Sequence, residues 1–291
     1  MTSPPLSPDY VTAAQFLTDA EALLIGAGAG MGVDSGLPAF RGTQGFWSAY
    51  PAYQGRSFMD IATSETFTSD PELAWGFYDH RLNLYRQHPP HAGHPPHAGF
   101  AILRRWAESM PLGAFVMTSN VDGHFQRAGF APEPVYECHG SLHHLQCHAG
   151  CPETWPADAV QLDIDPHTFR ACSALPRCPH CGALARPNLL MFYDSDWRRA
   201  RYESQHRRYK TWLCTVQDRR LVVIELGAGT TIATVRRECE YAAWRLIRIN
   251  PHDTEPSARG VLLPVGALEV LTTLDALNPD KSFSGSCPHP R

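Results

Sequence analysis

The chain lacks an excess of charge of either sign, and it lacks any apolar run long enough to cross a bilayer. Its formal net charge is −4 over 291 residues, so no broad cationic field exists to gather a polyanion, and no specific nucleic-acid partner is expected. The most apolar opening segment, Ala22 to Gly28, is seven residues long. A spanning helix needs about 20, so no membrane partner is expected. The opening stretch M-T-S-P-P-L-S-P-D-Y contains no basic residue and no apolar h-region, so no secretory leader is expected.

What is present is ordinary in bulk and specific in detail. A hydrophobic fraction of 43% fits a folded globular chain, long enough to bury a core as one large domain or two coupled ones. The nine cysteines invite a disulfide reading, but their spacing argues against it. Cys147-x3-Cys151 and Cys178-x2-Cys181 are tight pairs and the rest are scattered. That pattern suits metal ligands in a reducing, cytoplasmic compartment.

Continuous apolar runs place strands at Glu21–Ile25, Leu112–Met117, Leu221–Leu226, Leu246–Ile249 and Val261–Leu263. Each ends in small or polar residues, and helical periodicity fills the intervals, as in Phe100–Trp106. Such alternation predicts an α/β fold, a Rossmann-like doubly wound parallel sheet whose ligands bind at the carboxyl ends of the strands. Two stretches break the alternation. Residues 43–111 are rich in aromatics and prolines, with a helix over Pro71–Arg86, and residues 141–192 carry the paired cysteines. The expected division is a discontinuous cofactor-binding domain (12–42, 100–140, 193–275), a helical insertion with a cofactor loop (43–99) and a zinc-binding insertion (141–192). Residues 1–11 and 276–291 are expected to be flexible tails. The duplication H-P-P-H-A-G, His88–Gly93 and His94–Gly99, reads as a lengthened surface loop held extended by proline.

Four constellations carry chemistry. Ala27–Gly36 reads A-G-A-G-M-G-V-D-S-G directly after a strand, where glycines admit close approach of a pyrophosphate and helix-start amides attract its charge. A tight strand-to-helix turn would have the same residues. Cys147, Cys151, Cys178 and Cys181 match a structural zinc site with no open catalytic position; Cys172, His148 and His180 are alternative ligands. Thr118-Ser119-Asn120-Val121-Asp122 follows the second strand, which puts Asn120 and Asp122 at the ligand edge, although an Asx-turn explains them equally. Glu137-Cys138-His139-Gly140-Ser141 places a histidine between that loop and the zinc segment. Cys138 beside it does not form a nucleophilic pair, because adjacent residues point apart.

In order and spacing, A-G-A-G-x-G-x-x-S-G-L-P-A-F-R-G, T-S-N-V-D, C-H-G-S, the two cysteine pairs, G-T-T and I-N-P resemble the sirtuins of bacterial type, over about residues 12–275. The resemblance implies NAD-dependent removal of acyl groups from lysine side chains of a protein substrate, giving nicotinamide and O-acyl-ADP-ribose, with NAD as co-substrate and a structural zinc. It implies Gly28, Ala29 and Gly30 as the pyrophosphate turn, Phe40 and Arg41 as part of the loop over NAD, and Ser119, Asn120 and Asp122 around ribose and nicotinamide. It implies Gly229, Thr230, Thr231 and Asn250 on the adenosine side, and His139 with Asn120 as the catalytic residues. The substrate strand is Leu189–Asp194, with Leu190 and Phe192 against the peptide. Tyr78 and Arg81 match a Tyr-x-x-Arg pair with which a subgroup binds acidic acyls, malonyl and succinyl. Ala39 and the neighbouring Gly45-Phe46-Trp47 fit the same subgroup. An ordinary packed and solvated pair is the competing reading. Three departures are notable: Gly32 replaces a serine, Ser119 a glutamine, and Tyr193 a glycine. The last two motivate a rival activity, ADP-ribosyl transfer or NAD hydrolysis on the same scaffold. A non-catalytic NAD-binding module is disfavoured by His139, Asn120 and Asp122.

Overall fold

The apolar runs become the strands of one parallel sheet. The computed structural model describes residues 7–38, 55–86 and 93–278. Helix α1 (Pro8–Asp19) leads to β1 (Ala22–Ala27) and a 3-10 helix (Ala29–Ser35). Then come α2 (Phe58–Ile61), α3 (Glu65–Ser69), α4 (Pro71–Tyr85), α5 (Ala98–Ser109), β2 (Ala114–Thr118), α6 (His124–Arg127) and β3 (Val135–Glu137). The next strands are β4 (Gly140–Cys147), β5 (Thr154–Pro156) and β6 (Ala185–Leu189). The chain then runs through α7 (Ala200–Val216), β7 (Leu221–Leu226), α8 (Thr234–Ala242), β8 (Arg245–Ile249), β9 (Gly260–Leu263) and α9 (Ala267–Leu277).

The large sheet has the order β3-β2-β1-β7-β8-β9, with every pairing parallel. The order reverses at β1, between β2 and β7, so a crevice opens at the carboxyl ends of these strands. Both faces are covered. Leu23, Ile25, Val222 and Ile224 pack against Phe100, Trp106 and Leu271 on one side, and Leu24, Phe115 and Val223 against Tyr209 and Leu213 on the other. A strand buried on both faces needs no polar alternation, which is why β1 reads as an unbroken apolar run and β7 is interrupted only by Glu225, which is buried against Arg248 at 2.8 Å.

A second sheet, β5-β4-β6, is antiparallel. Its core is separate: Leu142 and Leu145 meet Phe67, Trp75, Phe77 and Tyr78 from α3 and α4. Beneath the segment that follows β6, Arg186 and Asp194 form a bidentate pair, both bonds 2.8 Å, with both side chains fully buried. Asp194→Ala leaves the guanidinium buried and uncompensated, so urea denaturation should show a loss of about 3–5 kcal/mol. A loss under about 1 kcal/mol would instead place the pair among weak surface bridges.

Three expectations change. Residues 8–10 and 276–277 are not tail: α9 runs on to Leu277, and Pro8 starts α1, where its missing N–H costs nothing, with Ser7 Oγ accepting from Asp9 N at 3.4 Å. Strand β3 was not foreseen, because three residues after a proline-rich turn carry too little periodicity. The second half of the H-P-P-H-A-G repeat is no surface loop. His97 is buried, caps α5 by accepting from Gly99 N, and bonds Met31 O at 3.0 Å through Nε2. Residues 88–92 of the repeat lie outside the described residues.

Candidate functional site

The carboxyl ends of β1 and β7 touch. Gly28 N donates to Leu226 O at 2.9 Å and Gly30 N to Gly227 O at 3.1 Å. A Cβ on Gly28 would lie 2.7 Å from Ala228 Cα, and one on Gly30 2.6 Å from Gly227 Cα. These glycines therefore allow two loops to meet, and their amides are already used. Between them the Ala29 amide, first in the 3-10 helix, has no backbone acceptor among the described residues. An orphan donor at a helix start beside the crevice suits a phosphate oxygen.

The loop after β2 is locked to this turn. Ser119 N donates to Ala27 O at 3.1 Å, and Asn120 Nδ2 donates to Gly28 O at 3.0 Å. Asp122 is buried; its Oδ1 accepts from His124 N at 2.9 Å and its carbonyl faces His143 Nε2 at 2.8 Å. Burial pushes the Asp122 carboxyl up to about 6, against the pull of the His124 amide.

His139 sits in the turn joining β3 to β4. Cys138 N donates to Thr118 O at 2.9 Å, and His139 O accepts from Leu190 N at 3.0 Å. The backbone at Cys138 and His139 is thus clamped between the β2 loop and the segment leaving β6. Gly140 must follow it: φ is +80°, and a Cβ there would lie 2.2 Å from Asn188 O. Burial holds His139 below its ordinary range, partly offset by a hydrogen bond to the Ser119 main chain. A neutral imidazole carries one N–H and one nitrogen able to accept a proton. Burial raises the Cys138 thiol to about 12, so it is inert as a nucleophile.

On the β7 side, Gly229 is half-buried while Thr230 and Thr231 are exposed, and Thr230 Oγ1 donates to Asp253 Oδ1 at 3.4 Å. Asn250 ends β8 fully buried. Its Nδ2 donates to Ala228 O at 2.9 Å, and its Oδ1 accepts from His252 N and Asp253 N, both at 3.1 Å. Its polar atoms hold the rim of the crevice together.

The substrate-side residues form an aromatic chamber. Tyr78 and Arg81 are both buried, so they are not a solvated helix-face pair. The Arg81 guanidinium lies 5.5 Å from the Phe77 ring centroid and 5.9 Å from those of Phe58 and Tyr85. Its Nη2 donates to Tyr85 OH at 3.0 Å. Phe192 is half-buried and meets Phe58 edge-on at 5.8 Å, while Leu190 is exposed. Tyr193 takes φ +55° with its side chain 87% exposed. It keeps the left-handed backbone that a glycine would adopt there, at a cost of about 1–2 kcal/mol. Phe40, Arg41, Ala39, Gly45, Phe46 and Trp47 lie outside the described residues.

Away from the crevice, the sulfurs of Cys147, Cys151, Cys178 and Cys181 lie within 4.8 Å of one another, with Cys147 and Cys181 3.6 Å apart. Four convergent thiolates fit a closed tetrahedral zinc. The alternative ligands are engaged elsewhere: His148 Nε2 is 2.9 Å from Thr68 Oγ1, Cys172 Sγ is 3.6 Å from Arg170 O, and His180 faces Glu153 at 3.7 Å.

Comparison with known proteins agrees with this geometry. A family model described as "Sir2 family" matches residues 28–210. NAD-dependent protein deacylase 2 of Pyrobaculum aerophilum is 31% identical over 249 residues, covering 84% of each chain. The mitochondrial NAD-dependent protein deacylase sirtuin-5 of Danio rerio is 34% identical over 213 residues, covering 67% of this chain and 65% of that one. A crystal structure of a Sir2 homologue in complex with NAD superposes with a TM-score of 0.67 over 93% of this chain and 94% of that one, at 23% identity.

Proposed function

The chain belongs to the Sir2 family, and from that premise we propose that it removes acyl groups from protein lysine side chains at the expense of NAD. One observation carries the reading. A half-buried histidine, tied by its backbone to the loop after β2, stands beside an asparagine that is bonded to the glycine turn at the mouth of the sheet. NAD, when bound, supplies the ribose carbon that takes the acyl oxygen and the nicotinamide that leaves. The residues fit it: the Ala29 amide would take a phosphate, Asn120 and Asp122 would hold the ribose and nicotinamide, and the rim held by Asn250 would take the adenosine. His139 takes the proton of a ribose hydroxyl. Its neutral state at pH 7 follows from burial. On this reading residues 12–42, 100–140 and 193–275 form the NAD-binding unit. Residues 43–99 form the helical insertion, and 141–192 hold the structural zinc. The thiols gathered for a metal support a cytoplasmic setting. No helix among the described residues is long and apolar enough to cross a membrane.

The test mixes protein, NAD and acetyl- or succinyl-lysine peptide, with products identified by mass spectrometry. Peptide-dependent O-acyl-ADP-ribose is the expected result. ADP-ribose formed without peptide, or ADP-ribose mass added to a protein, would establish the rival activity.

The aromatic chamber extends the proposal to acidic acyl groups. A guanidinium among rings offers a desolvated, charge-assisted partner to a carboxylate. Arg81→Met should lower succinyl-lysine turnover by about 10- to 100-fold and leave acetyl-lysine turnover within a few-fold. Equal losses on both peptides would remove the acidic-acyl reading while leaving deacylation standing.

A further inference from the structure

A second cavity of about 500 Å3 lies outside the crevice, between the β3–β4 segment, α6 and α7. Its walls carry Arg127, Arg201, Arg208, His143 and His144, with Glu137 as the acidic side chain among its lining residues. The charge count on these walls is therefore positive. Glu137 is already engaged, buried and paired with Arg201.

The cations keep donors in reserve. A guanidinium has five N–H groups. Arg208 directs Nε to Glu133 O at 3.1 Å and Nη1 to Ser204 Oγ at 3.0 Å. Arg201 uses Nη2 on Glu137, and Arg127 uses Nη1 on the Tyr85 and His94 carbonyls.

We propose that this cavity binds a small dianion, an inorganic phosphate or a short dicarboxylate, on the guanidinium groups of Arg201, Arg208 and Arg127. A double negative charge suits three guanidinium groups facing one glutamate, and the volume suits a small ion or metabolite rather than a peptide. The site has a physical route to the crevice. His143 lines the cavity and contacts the Asp122 carbonyl at 2.8 Å, and Gly123, also on the wall, adjoins Asp122 with φ +69°.

The probes are inorganic phosphate and succinate, titrated calorimetrically into the full chain at constant ionic strength, so that general screening is held fixed. At least one should saturate one site per chain. Arg208→Gln alters an exposed side chain, so the fold and anion-free peptide turnover should persist while affinity falls at least tenfold. Saturation by phosphate alone or by succinate alone would each support the site and identify the acidic group it takes. An Arg81→Met background separates it from the acyl chamber, since binding here must survive that change. No saturation by either probe, equal affinity in Arg208→Gln, or loss of succinate binding in Arg81→Met would overturn the proposal.

Discussion

His139→Ala should lower peptide-dependent NAD consumption by about 10²- to 10⁴-fold, the usual contribution of a positioned proton acceptor, while calorimetric NAD affinity changes little. The split follows from position. His139 touches the Ser119 main chain and is held by Leu190, whereas the glycine turn and Asn120 are bonded to one another without it. Unchanged turnover would remove the role assigned to the ring. The pH profile gives a second readout. Burial lowers His139 from its ordinary 6.5, so the competent neutral form persists to lower pH than in a free histidine. Activity should fall as pH drops, with its His-dependent limb below 6.5. Asp122, raised to about 6, gains a proton in the same direction and steepens the fall. A limb centred above 7 would contradict the burial argument.

Cys181→Ser should abolish stoichiometric zinc and unfold the small sheet with its substrate-facing segment. Cys181 is exposed, so the change removes a ligand without opening a cavity. Structural zinc sites of this kind contribute about 10–16 kcal/mol of apparent binding energy at neutral pH. That energy holds together the two loops, Cys147–Cys151 and Cys178–Cys181, at the end of the three-stranded sheet away from the crevice. Zinc would be quantified with a chromogenic chelator after denaturation, and the fold followed by near-UV circular dichroism. The large sheet has its own cores on both faces, so much helical signal should remain. Peptide turnover should vanish, because the Leu190–Phe192 segment leaves directly from β6. Equimolar zinc retained in the variant would exclude Cys181 as a ligand.

By itself the sequence determined those features whose cause is local. Strands buried on both faces are mainly apolar, so β1, β7 and β8 were legible within two residues at either end, although Glu225 and Arg248 within them pair with each other across the sheet. Two cysteine pairs, each spanning a short turn, match the ligand spacing of a structural zinc site, so the quartet was legible from spacing. A loop that follows a parallel strand must emerge at the ligand edge, which located Asn120, Asp122 and the glycine turn. Tertiary structure alone decided what depends on partners distant in the chain. Gly28 and Gly30 are small because Gly227 and Ala228 lie against them. Asn250 faces Ala228 O, and His97 faces Met31 O. Nothing in a Tyr-x-x-Arg spacing reveals that the face it occupies is covered by Phe58 and Phe77. Nor does a row of scattered arginines reveal that three of them line one cavity. Periodicity records how a segment meets its nearest layer. Which polar atoms are left over is settled only when every layer is in place.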